Sequence, residues 1–294
     1  MTSSPRVLAR TLLLTFRSRW RALLTYHLFF VMLAVTLLTP VISFLLTQWL
    51  DSSGQPAISN EDLYSFAFSF AGLTWALLAG TLVMTLAFIQ VSGLLLVMEV
   101  HGRNRYQAVT SALVATFRLL PRLIGLALTQ VATHLAAALP FLLAVATLGY
   151  WLLMDFHPYF LMSHWPVEKQ WFVALASPLL LAMAVCNGSL YVRWILALPI
   201  MVFERRSVLA SLIASQALTR QYRLPIAATL LGVAAITVSL PITFALVYRP
   251  FASIVLNLAG NSMQLAVATA VFLAALYLVI NILLTFVMIM FKGW

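Results

Sequence analysis

Acidic residues are nearly missing from this sequence. Asp and Glu together number 7 in 294 residues, against 17 Lys and Arg, and charged residues of both signs make up only 8% of the chain. A soluble domain needs a polar surface, and a chain that is 63% hydrophobic with a mean hydropathy of +1.03 cannot supply one. The composition excludes a soluble globular fold and predicts an all-α polytopic membrane protein. A lone cysteine, Cys186, excludes an internal disulfide, and its apolar neighbours argue against a reactive thiol. The N-terminal MTSSPRVLAR lacks a short apolar core followed by a small-residue cleavage site, so no cleaved signal peptide is expected.

The motifs of common hydrolases and phosphate binders are absent as well. There is no Gly-x-Ser-x-Gly, no Gly-rich phosphate loop and no His-Glu-x-x-His. Ser189, in CNGSLY, reads as a small packing residue rather than a nucleophile. His157 and His164 flank Asp155 without the spacing or the third strong ligand of a zinc site, so no metal and no cofactor are expected in this chain.

What the sequence does contain is apolar length. Six stretches can span a hydrocarbon core of about 30 Å: Leu23 to Leu46, Gly72 to Met98, Leu123 to Leu153, Phe172 to Val192, Ile226 to Val247 and Met263 to Phe291. The basic residues then set an orientation. With both termini cytoplasmic, all Arg and Lys except Lys169 and Arg249 face inward, whereas the acids Asp51, Glu61, Asp62, Asp155 and Glu168 face outward. Such a distribution makes the basic excess a topology signal and removes the case for nucleic-acid binding. The resulting expectation is a multi-pass protein of the bacterial cytoplasmic membrane with six transmembrane helices.

Each inward segment carries a candidate helix that lies on the membrane. Arg6, Arg10, Arg17 and Arg21 fall in one stripe at helical spacing, with Leu8, Leu12 and Phe16 opposite, which predicts an interfacial helix facing lipid phosphates. Tyr106 to Arg118 and Ser207 to Arg223 are the second and third such segments. TFRSRWRALL, TFRLLPRLIG and LTRQYRLPIA each lead from arginines into a span. This suggests that the single membrane domain, residues 1–294, is a three-unit repeat over 5–98, 105–203 and 207–294. Outside, SNED is a helix cap with acids in its first turn, and DFHPYFLMSHWPVEKQW is rich enough in aromatics to rest on the membrane face.

One run concentrates the chemistry. In YVRWILALPIMVFERRS, Arg193 and Pro199 interrupt an apolar segment that continues to Phe203. A helix over all of residues 171–203 would be about 50 Å long, too long for one span. A span ending at Val192 leaves Arg193 at the cytoplasmic interface, and Pro199 marks where the chain turns along the inner face. Arg193, Arg205 and Arg206 then form a candidate site for an anionic headgroup, since guanidinium pairs bidentately with phosphate. Glu204 is the candidate structural ion-pair partner, of Arg193 or Arg205.

The same run carries a family resemblance. RWILALPIMVFERRSVLASLIASQALTR, the loop DFHPYFLMSHWPVEKQW and SNEDLYSF together resemble the membrane domain of bacterial membrane-anchored glycerophosphodiester phosphodiesterases, over nearly the whole chain. The resemblance implies a partnership, on the cytoplasmic side, with a barrel that hydrolyses glycerophosphodiesters to glycerol 3-phosphate and an alcohol, using a divalent metal. That barrel's His-Arg-Gly opening and Glu-x-Asp acids are absent here; His101-Gly102-Arg103 runs in the wrong order. The chain is therefore expected to anchor the enzyme or present lipid-derived substrate to it, and to have no catalytic residues of its own. The competing expectations are a transporter, with a polar path through Gln90, Gln130, His134, Asn187 and Asn281, or a regulatory protein with a basic cytoplasmic face. His134, Gln130 and Thr133 are equally explained by hydrogen bonding between helices.

The orientation can be checked by labelling. In a Cys186→Ser background, Gln55→Cys and Ser163→Cys should react with an impermeant thiol reagent in intact cells, and Arg105→Cys should react only after permeabilisation. The opposite pattern inverts the topology.

Overall fold

The computed structural model describes residues 20–36, 69–99, 104–258 and 265–277, together with positions 40, 43, 44, 47, 66 and 280. Among these residues the structure is helical with no strand. The helices are α1 (Trp20–Thr36), α2 (Phe70–Glu99), α3 (Arg105–Leu153), α4 (Pro158–Ser163), α5 (Val167–Trp194), α6 (Ala197–Glu204), α7 (Val208–Thr219), α8 (Arg223–Leu258) and α9 (Leu265–Tyr277). Among the described residues four helical stretches are long and apolar enough to cross a membrane: α2, α3, α5 continued by α6, and α8. They cover the second to fifth stretches read from the sequence. The first and sixth are described only in part, as the shorter apolar helices α1 and α9.

One expected boundary is not where the sequence suggested. The surface helix over Tyr106 to Arg118 is the first part of α3, which runs unbroken for 49 residues, about 74 Å, through Pro121 and Pro140. A proline deletes one backbone hydrogen bond. The bonds on either side carry the helix across it. The third segment is separate as expected, since α7 stands apart from α8 with a turn at residues 220–222.

The chain divides into two compact units, residues 1–46, 90–117 and 224–294 in one and 47–89 and 118–223 in the other. In the first, α1 buries Ala22, Leu23, Tyr26, His27 and Phe30, a stripe at helical spacing. The phenol end of Tyr26 lies against Gly93 of α2, where any Cβ would overlap it. His27 Nδ1 accepts from Gln90 Nε2 at 2.9 Å, so the same helix pair is also tied by a polar contact. Elsewhere in this unit Tyr248 donates to the carbonyl of Leu273 at 2.6 Å, with Tyr277 and Phe244 stacked beside it.

In the second unit, small residues again set the approach of helices. A Cβ on Gly80 of α2 would come within 3.0 Å of Val131, and one on Gly125 of α3 within 3.3 Å of Val208 on α7. Between helices in lipid, where apolar surface gains little by leaving lipid, close packing of this kind and hydrogen bonds supply the attraction. The loop after α3 folds into α4, with Phe156, Phe160 and His164 stacked in series. Lys169 caps it, donating to the carbonyl of Leu161 while its ammonium lies 4.0 Å from the Trp165 ring centre. Tyr150, Trp151, Trp165 and Trp171 stand exposed around this loop, as aromatic residues do at a membrane interface.

The Tyr26–Gly93 contact gives a stability test. Gly93→Ala should cost about 1–3 kcal/mol, read as a lower unfolding temperature of the full chain in detergent micelles. Tyr26→Leu in that background should cost less than it does in the wild type, because one contact is being removed twice. Strict additivity would show that the ring does not rest on Gly93.

Candidate functional site

The site begins with a broken helix. Pro199 has no N–H, and its ring conflicts with the carbonyl four residues earlier, that of Ile195. The structure breaks there: α5 stops at Trp194, Ile195 and Leu196 form a turn, and α6 restarts at Ala197 with Pro199 in its first turn, where an N–H has no helical acceptor. The break frees two backbone groups from their helical partners, the carbonyl of Arg193 and the N–H of Leu196.

One side chain takes both. Ser215 on α7 donates its hydroxyl to Arg193 O at 2.8 Å and accepts from Leu196 N at 3.2 Å. Thr219, one turn on, lies 3.3 Å from the same carbonyl, while the shorter acceptor of its hydroxyl is Ser215 O at 2.9 Å. Ser211, Ser215 and Thr219 form a fully buried stripe at i, i+4 and i+8, narrow enough for α7 to lie against the break.

The packing carries α7's next face to Arg193. Arg193, Gln216, Arg220 and Arg223, with Ile213 and Ala217, line a depression of about 590 Å³. Arg193 and Arg223 are half-buried, and the Nε of each is enclosed without an acceptor. Among the described residues no acidic side chain lines the depression. The arrangement offers several guanidinium donors and an amide at one point, chemistry suited to a phosphate oxygen cluster.

Arg205 and Arg206 are used differently. Arg206 Nε and Glu204 Oε2 pair at 2.6 Å, with both side chains about half exposed (50% and 47%), which limits the pair to less than about 1 kcal/mol. The partner of Glu204 is therefore Arg206 rather than Arg193 or Arg205. Arg205 ends α6 in the left-handed region, φ 53°, and its carbonyl accepts from Arg122 Nη1 at 3.0 Å. Neither side chain lines the depression beside Arg193. Sequence proximity grouped Arg193 with Arg205 and Arg206; the depression places beside Arg193 instead Gln216 of α7, Arg220 of the turn after it and Arg223 at the start of α8. Of the basic stripe at the N-terminus, Arg6, Arg10 and Arg17 lie outside the described residues, and Arg21 is exposed with its guanidinium carbon 5.4 Å from the Trp20 ring centre.

Some polar residues within the spans pair between helices. Asn187 gives its amide N–H to Met183 O at 3.1 Å, so its Oδ1 receives His134 Nδ1–H at 2.8 Å, joining α3 to α5. The His134 ring also meets the edge of Trp194, one residue from Arg193, at 5.9 Å. Gln130 is buried, and Asn281 lies outside the described residues. Among the described residues no three His, Cys, Asp or Glu side chains converge.

Against known families, residues 9–292 match the membrane domain of glycerophosphoryl diester phosphodiesterase. No curated protein and no solved structure matches the chain.

The seal at the break is testable. Ser215→Ala leaves Leu196 N–H without its acceptor and should destabilise the full chain in detergent by about 1–3 kcal/mol. Ser211→Ala removes a hydroxyl bonded only within its own helix, to Ser207 O, and should cost well under 1 kcal/mol by the same reasoning. Equal losses would mean that Ser215 is not what closes the break.

Proposed function

The chain belongs to the family of glycerophosphoryl diester phosphodiesterase membrane domains, and from that membership we propose that it anchors a phosphodiesterase catalytic domain at the bacterial cytoplasmic membrane and presents lipid-derived substrate to it. The observation that carries this reading is the family match over nearly the whole chain, together with helices long and apolar enough to span a bilayer. The division of labour follows from the chemistry. Hydrolysis of a phosphodiester requires a group to stabilise developing charge and an acid to protonate the leaving oxygen. This chain contributes spans, a basic face on the cytoplasmic side including Arg193, Arg205 and Arg206, and affinity for anionic headgroups. The divalent metal and the acid–base residues belong to the partner domain.

The assay uses the purified chain with glycerophosphocholine and glycerophosphoglycerol in excess calcium or magnesium, where no turnover is expected. A tagged copy recovered from its native membranes should bring glycerophosphodiesterase activity with it. Metal-dependent turnover by the chain alone, lost in Glu99→Gln or Glu204→Gln, would overturn the anchoring role.

A further inference from the structure

A second concave surface opens on the same arginine. It is a groove of about 580 Å³ along the exposed face of α5, running from Arg193 past Ser189, Cys186 and Ala182 to Pro178, with Leu181, Val185 and Leu190 as its walls. These positions recur at three- and four-residue steps, so they form one helix face. Small side chains make the floor and aliphatic ones the sides; apart from Ser189 and Arg193 the lining is apolar. From Arg193 to Pro178 the groove is about 22 Å long, more than the ~15 Å that one leaflet's hydrocarbon occupies.

The two surfaces meet at Arg193 and have opposite character. Among the described residues, one end offers three guanidinium groups and an amide, with two enclosed Nε–H donors and no carboxylate; the other is apolar apart from Ser189. That polarity is the complement of an amphiphile with a phosphate at its head. A deacylated glycerophosphodiester would fill the depression and leave the groove unused. A fatty acid would fill the groove but present a single carboxylate to three guanidinium groups.

We propose that Arg193, Gln216, Arg220 and Arg223 hold the phosphate of an acylated glycerophospholipid whose acyl chain lies along α5 in the groove from Ser189 to Pro178. The proposal rests on the reading that the domain handles glycerophospholipid-derived molecules, and it names the form handled as one still carrying an acyl chain. Arg193 is the hinge between head and tail recognition. Its backbone carbonyl is fixed by Ser215, so its side chain projects from a set position.

The test measures binding of palmitoyl-lysophosphatidylglycerol, glycerophosphoglycerol, inorganic phosphate and palmitate to the full chain in a phosphate-free maltoside detergent. Lysophosphatidylglycerol should bind saturably at about one per chain and at least about tenfold more tightly than the other three, exceeding glycerophosphoglycerol and phosphate through the packing contacts of its acyl chain along the groove, and palmitate through the bidentate contacts of its phosphate with the guanidinium groups. Arg220→Gln should weaken it about tenfold, and Arg193→Lys should weaken it less than Arg193→Gln. Ala182→Trp, which fills the groove, should weaken lysophosphatidylglycerol without changing glycerophosphoglycerol. Arg220 and Ala182 are exposed, so these two variants test binding without endangering the fold. Glycerophosphoglycerol binding as tightly as its acylated form, palmitate competing equally, or indifference to Arg220→Gln and Arg193→Gln would each overturn the proposal. Recovery of phosphodiesterase activity is scored on the same preparations. A chain that binds the lipid but recovers no enzyme sinks the anchoring role alone, and a chain that recovers the enzyme but binds no lipid sinks this site alone.

Discussion

A helix that breaks within an apolar stretch must find new partners for the backbone groups it releases, and in this protein one buried hydroxyl meets that demand. Ser215 bridges Arg193 O and Leu196 N across the gap between α5 and α6. An unpaired peptide group in such surroundings costs several kcal/mol, so the break and the docking of α7 are one event. Everything near Arg193 follows from it. The stripe of Ser211, Ser215 and Thr219 fixes which face of α7 is inward, and the neighbouring face then brings Gln216 and Arg220 to the rim of the depression.

Gathering Arg193, Arg220 and Arg223 without an acid is electrostatically unfavourable, because each cation disfavours the others. A few residues away the chain does the reverse, balancing Arg206 with Glu204. Surface pairs are cheap to make and contribute little. The contrast separates the two groups of arginines by purpose: one is neutralised locally, and the other presents uncompensated positive charge at the end of an apolar groove. Two pairs of polar residues deeper in the helices, by comparison, bond to each other. His27 with Gln90 and His134 with Asn187 consume donors and acceptors in hydrogen bonds between helices.

The helical class, the membrane setting, the family and the run of chain in which the site begins were all legible in the sequence. These depend on properties that accumulate along the chain: apolar length, the scarcity of acids and a run of motifs around Arg193. Pro199 also signalled the break, since a proline's missing donor and its clash are local facts. Tertiary structure decided which arginines share a depression. Arg205 and Arg206 are near Arg193 in sequence, yet α6 intervenes, whereas Arg220 and Arg223 return to it because α7 folds back over the break. The same holds for α3, which stays helical through Pro121 although that residue's missing donor is a local signal for a break. Sequence records what each residue prefers alone; proximity in space depends on which freed backbone groups find each other, and that is settled only when helices pack.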